Sequence, residues 1–352
     1  MQTTRTLARV LAATSLGLAG CCGLNLCSSA PLKTPKLAFT LTGRYTNPDG
    51  MCIHDGEVYV NMNNIVSGKP STIVKITRNN QLEEVVNLPV HPKTGAVTAL
   101  GIVFAQDGNL YVNDNQNFGG KGLGLSRILR VVMANKKVQR VETVAVGINE
   151  ANGITTFGDE LYVADTNFGT KEPFTSGIYR FKLAELSAEK PVVVQAGPKD
   201  PHCIGTFTTT GKYSVGANGV AADQAGNVYV CNFGDAVLWR FTFNKDRTVK
   251  SFEPVAFCKD AGVESLDGLQ YDHQGSLWTT DFIGNAVVRI DTATGKTTIV
   301  AKNAPNAGAN GKLVSPSECI RLNNTIYVSN INLTYGPHTA IPEQTMSAID
   351  VE

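Results

Sequence analysis

One phrase returns six times along the chain. It reads "DGMCIHDGEVYVN" from 49, "LGIVFAQDGNLYVN" from 100, "NGITTFGDELYVA" from 152, "NGVAADQAGNVYVC" from 218, "DGLQYDHQGSLWTT" from 267 and "ECIRLNNTIYVSN" from 318, at spacings of 51, 52, 66, 49 and 51 residues. Each copy is a short apolar strand, a turn built on Asp, Gly or Asn, and a second strand that in most copies ends in Tyr-Val or Leu-Trp. A third strand follows, such as "GIYRFKL", "AVLWRFTF" or "AVVRIDT", and then a fourth, such as "PVVVQA" or "TTIVAK". A period near 50 with four strands per unit is the pattern of propeller blades rather than of helical solenoids. Glycine at 34 of 352 residues and charged residues at 17% agree with many tight turns between short strands.

The ends of the chain fit the same count. The last unit has its third strand in "MSAIDVE" and lacks a fourth, whereas "KLAFTLTG", from Lys36 to Gly43, is a spare strand before the first unit. If the spare strand completes the last blade, the ring closes with no unpaired seam. The expected fold is therefore all-β: one six-bladed β-propeller over residues 31–352, with four antiparallel strands per blade. The long interval holds "GPKDPHCIGTFTTTGKYSVGA", which reads as an elongated loop ahead of the fourth blade.

The first strand of a propeller blade lines the central channel. The residue heading each phrase therefore faces the axis: Asp49, Leu100, Asn152, Asn218, Asp267 and Glu318. Singly, Asp-Gly and Asn-Gly pairs are ordinary turn elements. Together, three carboxylates and two amides on one axis demand compensation, because two like charges 4 Å apart repel by about 4 kcal/mol at an effective dielectric near 20. Either protons or a cation must supply it. An all-oxygen set without His or thiolate suits Ca²⁺, with Mg²⁺ and Mn²⁺ as alternatives.

These residues carry a resemblance. The six units, the Asn-Gly starts at 152 and 218 and the Asp-Gly start at 267 resemble the SMP-30/gluconolactonase/LRE-like family of calcium-dependent lactonases and diisopropylfluorophosphatase-type propellers. The resemblance implies Asp49 in place of the family's first-blade glutamate, Asn152 and Asn218 as amide ligands, and Asp267 as ligand and general base or nucleophile. Three departures stand out. "PDGM" replaces the usual Glu-Gly-Pro, Leu100 stands where the lactonases carry an Asn-Asp-Gly-Lys stretch, and Glu318 is an added acid, read here as a further ligand or a proton donor. The implied activity is metal-assisted hydrolysis of a lactone or related ester, with Asp267 and Glu318 catalytic. The alternative is a non-catalytic NHL-like propeller on the cell envelope that binds a sugar or protein.

The remaining signals are weaker. His202, in the long insertion, is a candidate substrate contact at the channel mouth. His54 and His273 fall in turns expected on the opposite rim, and Asp165, Asn232, Asp281 and Asn330 end second strands, where capping is the expected use. The net charge of +1 and the lack of basic runs exclude a nucleic-acid partner. A small-molecule substrate and a monomer are expected instead.

Arg5 and Arg9 precede "VLAATSLGLAG", a signal-peptide pattern over residues 1–30 too short to span a bilayer. Within it "LAGC", from Leu18 to Cys21, resembles a lipobox with Cys21 as the lipidated residue. Cleavage after Ala30 is the competing reading. Both imply export, to the periplasm or envelope as a lipoprotein or as a secreted protein. Beyond that segment lie Cys52, Cys203, Cys231, Cys258 and Cys319, without any C-x-x-C pair. Cys52, Cys231 and Cys319 read as small buried strand residues, while a bridge from Cys203 or Cys258 stays open.

Overall fold

The computed structural model describes residues 31–351. The signal segment and its lipobox lie outside them. Six sheets succeed one another along the chain, each ordered from an inner strand outward. Blade one comprises β2 (Pro48–His54), β3 (Glu57–Met62), β4 (Thr72–Ile76) and β5 (Leu82–Asn87). Blade two comprises β6 (Ala99–Phe104), β7 (Leu110–Asp114), β8 (Ser126–Ala134) and β9 (Lys137–Ile148). Blade three has β10 (Ala151–Phe157), β11 (Glu160–Asp165), β12 (Phe174–Lys182) and β14 (Cys203–Thr209). Blade four runs through β15 (Ala217–Ala222), β16 (Val228–Asn232), β17 (Val237–Phe243) and β18 (Val249–Phe257). Blade five follows with β19 (Leu269–Tyr271), β20 (Ser276–Asp281), β21 (Ala286–Asp291) and β22 (Thr297–Lys302). Blade six contains β23 (Pro316–Leu322), β24 (Thr325–Asn330) and β25 (Gln344–Asp350), and its outer strand is β1 (Lys36–Leu41). β1 pairs antiparallel with β25 from Lys36↔Ala348 to Leu41↔Gln344, so the spare N-terminal strand closes the ring as expected.

The 66-residue interval departs from expectation. "PVVVQA" is not the fourth strand of blade three. Its β13 (Val192–Val193) pairs in parallel with β9, on the outer edge of blade two. The true fourth strand is β14, inside the segment that reads as a loop. The chain leaves β12, covers its neighbour's exposed edge and then returns. A short β-branched run shows that it will pair, but not with which edge.

The turn phrases have a repeated structural use. Asp107, Asp223 and Asp272 each accept a hydrogen bond from the aromatic residue of the following strand: Tyr111 (2.9 Å), Tyr229 (3.1 Å) and the Trp278 indole N–H (2.9 Å). One carboxylate thus fixes the turn and satisfies the polar end of a buried ring. Between blades the core is apolar, as where Tyr111, Ile128, Leu161 and Phe181 meet at the junction of blades two and three. The five described cysteines are all free; Cys52, Cys231, Cys258 and Cys319 are buried and Cys203 is half-buried.

Candidate functional site in the central channel

Five of the six inner strands carry a β-bulge at the head of the phrase; in blade five β19 begins only at Leu269, after Asp267 and Gly268. In β2 the pairing with β3 jumps from Pro48↔Met62 to Met51↔Val60, so Asp49 and Gly50 together oppose one residue. The same jump occurs at Ala99/Ile102, Ala151/Ile154 and Ala217/Val220. A bulge re-aims side chains. Here it turns the first residue of each pair to the axis and brings the second against the neighbouring blade.

The contacts explain why that second residue is glycine. A methyl at Gly153 would overlap the carbonyl oxygen of Asn218, one at Gly101 that of Asn152, and one at Gly219 that of Asp267. Side chains of the second strands then tie one bulge to the next. Asn113 donates its amide to the carbonyl of Asn152 (2.8 Å), Thr280 its hydroxyl to that of Ser317 (2.9 Å), and Asn61 its amide to Ala99.

Blade six corrects the expected register. Pro316 pairs with Asn330 and Cys319 with Val328, which puts Ser317, not Glu318, level with Asp49 and Asp267. Glu318 takes the position held by glycine in the other blades, and a methyl on Gly268 would strike its carboxyl group. The acid therefore enters the channel one layer below the ring. The sequence obscures this because the sixth phrase alone lacks the glycine that marks the register.

Two chambers meet at the ring, and Asp49, Asn152, Asn218, Asp267 and Ser317 line both. Below is a cavity of about 20 Å³ that also touches Glu318 and Gln270. Its volume suits a single water-sized particle, for which roughly 10–15 Å³ suffices. Above is a mouth pocket of about 420 Å³, into which Leu100, Glu150 and an apolar collar are built. Among the described residues, no Lys, Arg or His lines either chamber.

The acids of the channel therefore face each other without a counter-charge. Burial pushes Asp49 up to about 7, and the Ser317 hydroxyl pulls it back only in part. Burial, and after it the nearby Asp49, holds Asp267 well above the usual carboxylate range against a stabilising hydrogen bond from Asn218. Glu318 is raised by burial and then by Asp49 and Asp267. Its Oε1 is buried without a hydrogen-bond partner among the described residues. Such an oxygen is costly unless something donates to it or binds it. Among the described residues, no three His, Cys, Asp or Glu side chains converge into a metal-holding group by themselves. An ion here would also need the amide oxygens of Asn152 and Asn218. The orphaned Glu318 oxygen, the carboxylate, amide and hydroxyl oxygens of Asp49, Asn152, Asn218, Asp267 and Ser317, and the single-particle cavity together fit one hard cation such as Ca²⁺.

His202 stands elsewhere. It sits in the turn just before the outer strand of blade three, its Nδ1 lies 2.8 Å from Asp200, its ring packs on Phe181, and it lines neither chamber. The insertion reaches the mouth through a later stretch, by Val215. His54 and His273 line surface hollows away from the ring. The acids and amides ending the second strands are caps. Asp165 accepts the backbone N–H of Glu150 at 2.8 Å, Asp281 accepts those of Glu264 and Ser265 at 2.8 and 2.9 Å, and Asn330 accepts that of Val314 at 3.0 Å. Asn232 accepts the Thr209 hydroxyl at 2.9 Å.

Sequence reasoning missed the collar. Phe118, Phe233, Phe282 and Ile331 follow the second strands of their blades and wall the mouth pocket, together with Ile65 and Leu333. A signal existed. "NFG" occurs at 117–119, 167–169 and 232–234, and "DFIG" at 281–284. The copy at 167–169, in blade three, does not contribute to the pocket, since Phe168 packs instead beside Tyr179.

At the level of sequence, no protein-family model and no curated protein matches the chain. Solved structures do. A gluconolactonase from Xanthomonas campestris is 13% identical with a TM-score of 0.53, the match covering 92% of this chain and 98% of that one. A calcium-binding regucalcin from Agrobacterium tumefaciens is 11% identical with a TM-score of 0.54, over 91% and 96% of the two chains. An aldose sugar dehydrogenase from Streptomyces coelicolor, solved with PQQ bound, is 15% identical with a TM-score of 0.55, over 92% and 99%. One architecture thus serves lactonase-type, calcium-binding and redox proteins, and the likeness of this chain to them is a likeness of fold.

Proposed function

We propose that the protein is an exported, metal-dependent hydrolase acting on a lactone or related ester, with Ca²⁺ as the metal. The observation that carries this reading is an acid ring with no Lys, Arg or His among the described residues lining it, opening on one side into a pocket of substrate size. Asp49, Asn152, Asn218 and Asp267 would hold the ion from the ring, and Glu318 from below. Bound there, Ca²⁺ would act as a Lewis acid toward a carbonyl oxygen.

The chain's own groups supply the rest. Asp267 faces both chambers and takes the proton of an attacking water or attacks the carbonyl carbon itself. Asn218 orients the Asp267 carboxylate through its hydrogen bond. Glu318, below the ring, neutralises and positions rather than touching substrate, because it does not line the mouth pocket. The collar limits the water that reaches the ring. The hydrolysing groups are those shared by the two chambers.

The test is hydrolysis of lactones, aryl esters and phosphotriesters by calcium-replete protein, with chelated protein and Asp267→Asn alongside. Turnover that vanishes on chelation and falls on the order of 10²–10⁴-fold in the variant is expected. Full activity of Asp267→Asn would remove this residue from the mechanism. A calcium-replete protein inert to every class would favour the envelope-binding alternative, for which the apolar Leu100 in the ring is the supporting feature.

A further inference from the structure

The mouth pocket is chemically unlike the ring beneath it. Its walls are Phe118, Phe233, Phe282, Ile331 and Leu333, and its floor includes Leu100 at the one apolar ring position. The collar is a packed unit, with Phe282 lying 6.1 Å from Phe233 and 5.2 Å from His338, whose Nε2 is 2.6 Å from the Phe282 carbonyl oxygen. A volume of about 420 Å³ lies in the range of pockets that enclose small molecules, roughly 300–1,000 Å³.

Above the ring the polar wall groups are Glu150, Thr166, Thr334 and Tyr335, and three of them are engaged, Thr334 accepting the Ala340 N–H at 3.0 Å. Glu150 accepts the amide of Asn117 at 3.0 Å, and Thr166 gives its hydroxyl proton to the Ala217 carbonyl at 2.7 Å. A polyhydroxylated ligand would leave water for walls that offer few partners, and each unpaired hydroxyl weakens binding. An anionic ligand would meet Asp49, Asp267 and Glu150 with no Lys, Arg or His to offset them.

We propose that the substrate of this site is a neutral lactone or ester bearing an alkyl or aryl group, which the collar takes while the carbonyl points down to the ring, and that sugar lactones are excluded. The reaction rests on the hydrolytic reading above; the choice of substrate rests on the collar. Burying one methylene is worth about fourfold in binding. Four added carbons seated among the phenylalanines therefore raise kcat/KM by tenfold or more.

The experiment compares γ-butyrolactone, γ-octalactone and gluconolactone on the full calcium-loaded chain, and on a Phe118→Ser/Leu333→Ser variant at two half-buried collar positions. Circular dichroism and calcium titration check that the variant is folded and loaded. A tenfold or greater preference for γ-octalactone over γ-butyrolactone, reduced to within threefold in the folded variant, with gluconolactone slowest, is the expected result. Gluconolactone turned over as fast as γ-octalactone overturns the proposal, and so does an alkyl preference the variant retains. If no lactone is hydrolysed, calorimetry with 2-butylcyclopentanone and cyclopentanone separates the two readings. Tenfold tighter binding of the butyl ketone, lost in the variant, upholds the apolar chamber and sinks only the hydrolysis; equal binding sinks the chamber as well.

Discussion

Asp267 and Asp281 belong to the same blade of the same propeller, the first half-buried at the mouth pocket and the second fully buried, and they have opposite surroundings. Asp281 accepts four hydrogen bonds, from the backbone N–H groups of Glu264, Ser265 and Gly284 and from the Ser265 hydroxyl, at 2.8–2.9 Å. Asp114 in blade two is similar, accepting from Thr98 N–H at 2.9 Å, the Gln116 amide at 2.7 Å and the Arg127 guanidinium at 2.7 Å. Asp267 has the side chain of Asn218 and, nearby, the repelling Asp49. Carboxylates are rarely enclosed unless paired. The comparison separates acids that hold the scaffold from acids the scaffold holds for something else. The first kind locks the segment leading into the inner strand, through Glu264 and Ser265 in blade five and Thr98 in blade two, and the second kind is what the head of that strand presents.

The strongest way to break this distinction is to neutralise one member of each pair. Asp267→Asn should remove on the order of 10²–10⁴-fold of any hydrolytic rate while leaving the metal-free protein at least as stable as wild type at pH 8. Denaturant unfolding of chelated protein reads the stability, and a large destabilisation would mean that Asp267 is scaffold after all. Asp281→Ala should behave in the opposite sense. Three backbone N–H groups lose their acceptor, so a loss of about 3 kcal/mol or more is expected in the same titration. A loss below about 1 kcal/mol would show that its bonds are dispensable. Gly153→Ala sharpens the picture at the bulge itself: the added methyl overlaps the Asn218 carbonyl, and overpacking of this kind costs roughly 1–3 kcal/mol. A neutral effect would mean that neighbouring inner strands move apart freely.

The smallest effect is on pH dependence. Asp49, Asp267 and Glu318 have folded-state pKa values above their unfolded ones, so the metal-free native state binds protons more tightly than the unfolded chain. Their contribution is therefore most favourable below about pH 4 and declines as the pH rises through about 7, where Asp49 ionises. Chelated protein compared at pH 5.5 and 8 should show this part of its stability falling, and Asp267→Asn should show a shallower fall. An identical slope in the two proteins would place the protons elsewhere.

Much of this architecture is legible in the sequence because each blade repeats the same physical demands. The phrase period marks the blades, and "KLAFTLTG" announces ring closure because an unpaired edge must be covered. Asp49, Asn152, Asn218 and Asp267 are legible because each precedes a glycine, and the glycine is required by close approach of the next strand. Ser317 is not legible for the same reason: with Glu318 in the glycine position, the register marker is gone. "PVVVQA" reads correctly as a pairing strand and misleads about its partner, since pairing across blades depends on the chain's path and not on local pattern. The collar is hidden in phrases such as "NFG" that resemble turns, where an aromatic residue gains its meaning only from facing the same axis as its counterparts.

The hydrolytic reading stands on Asp49, Asn152, Asn218 and Asp267, with Glu318 below them, acting as one cation site. Calorimetric titration of chelator-treated protein with Ca²⁺, beside the same titration of Asp267→Asn, tests it most directly. One calcium ion bound per chain by the wild type, with binding lost or greatly weakened in the variant, is the expected result. No calcium binding by the wild type, or undiminished binding by Asp267→Asn, would contradict it.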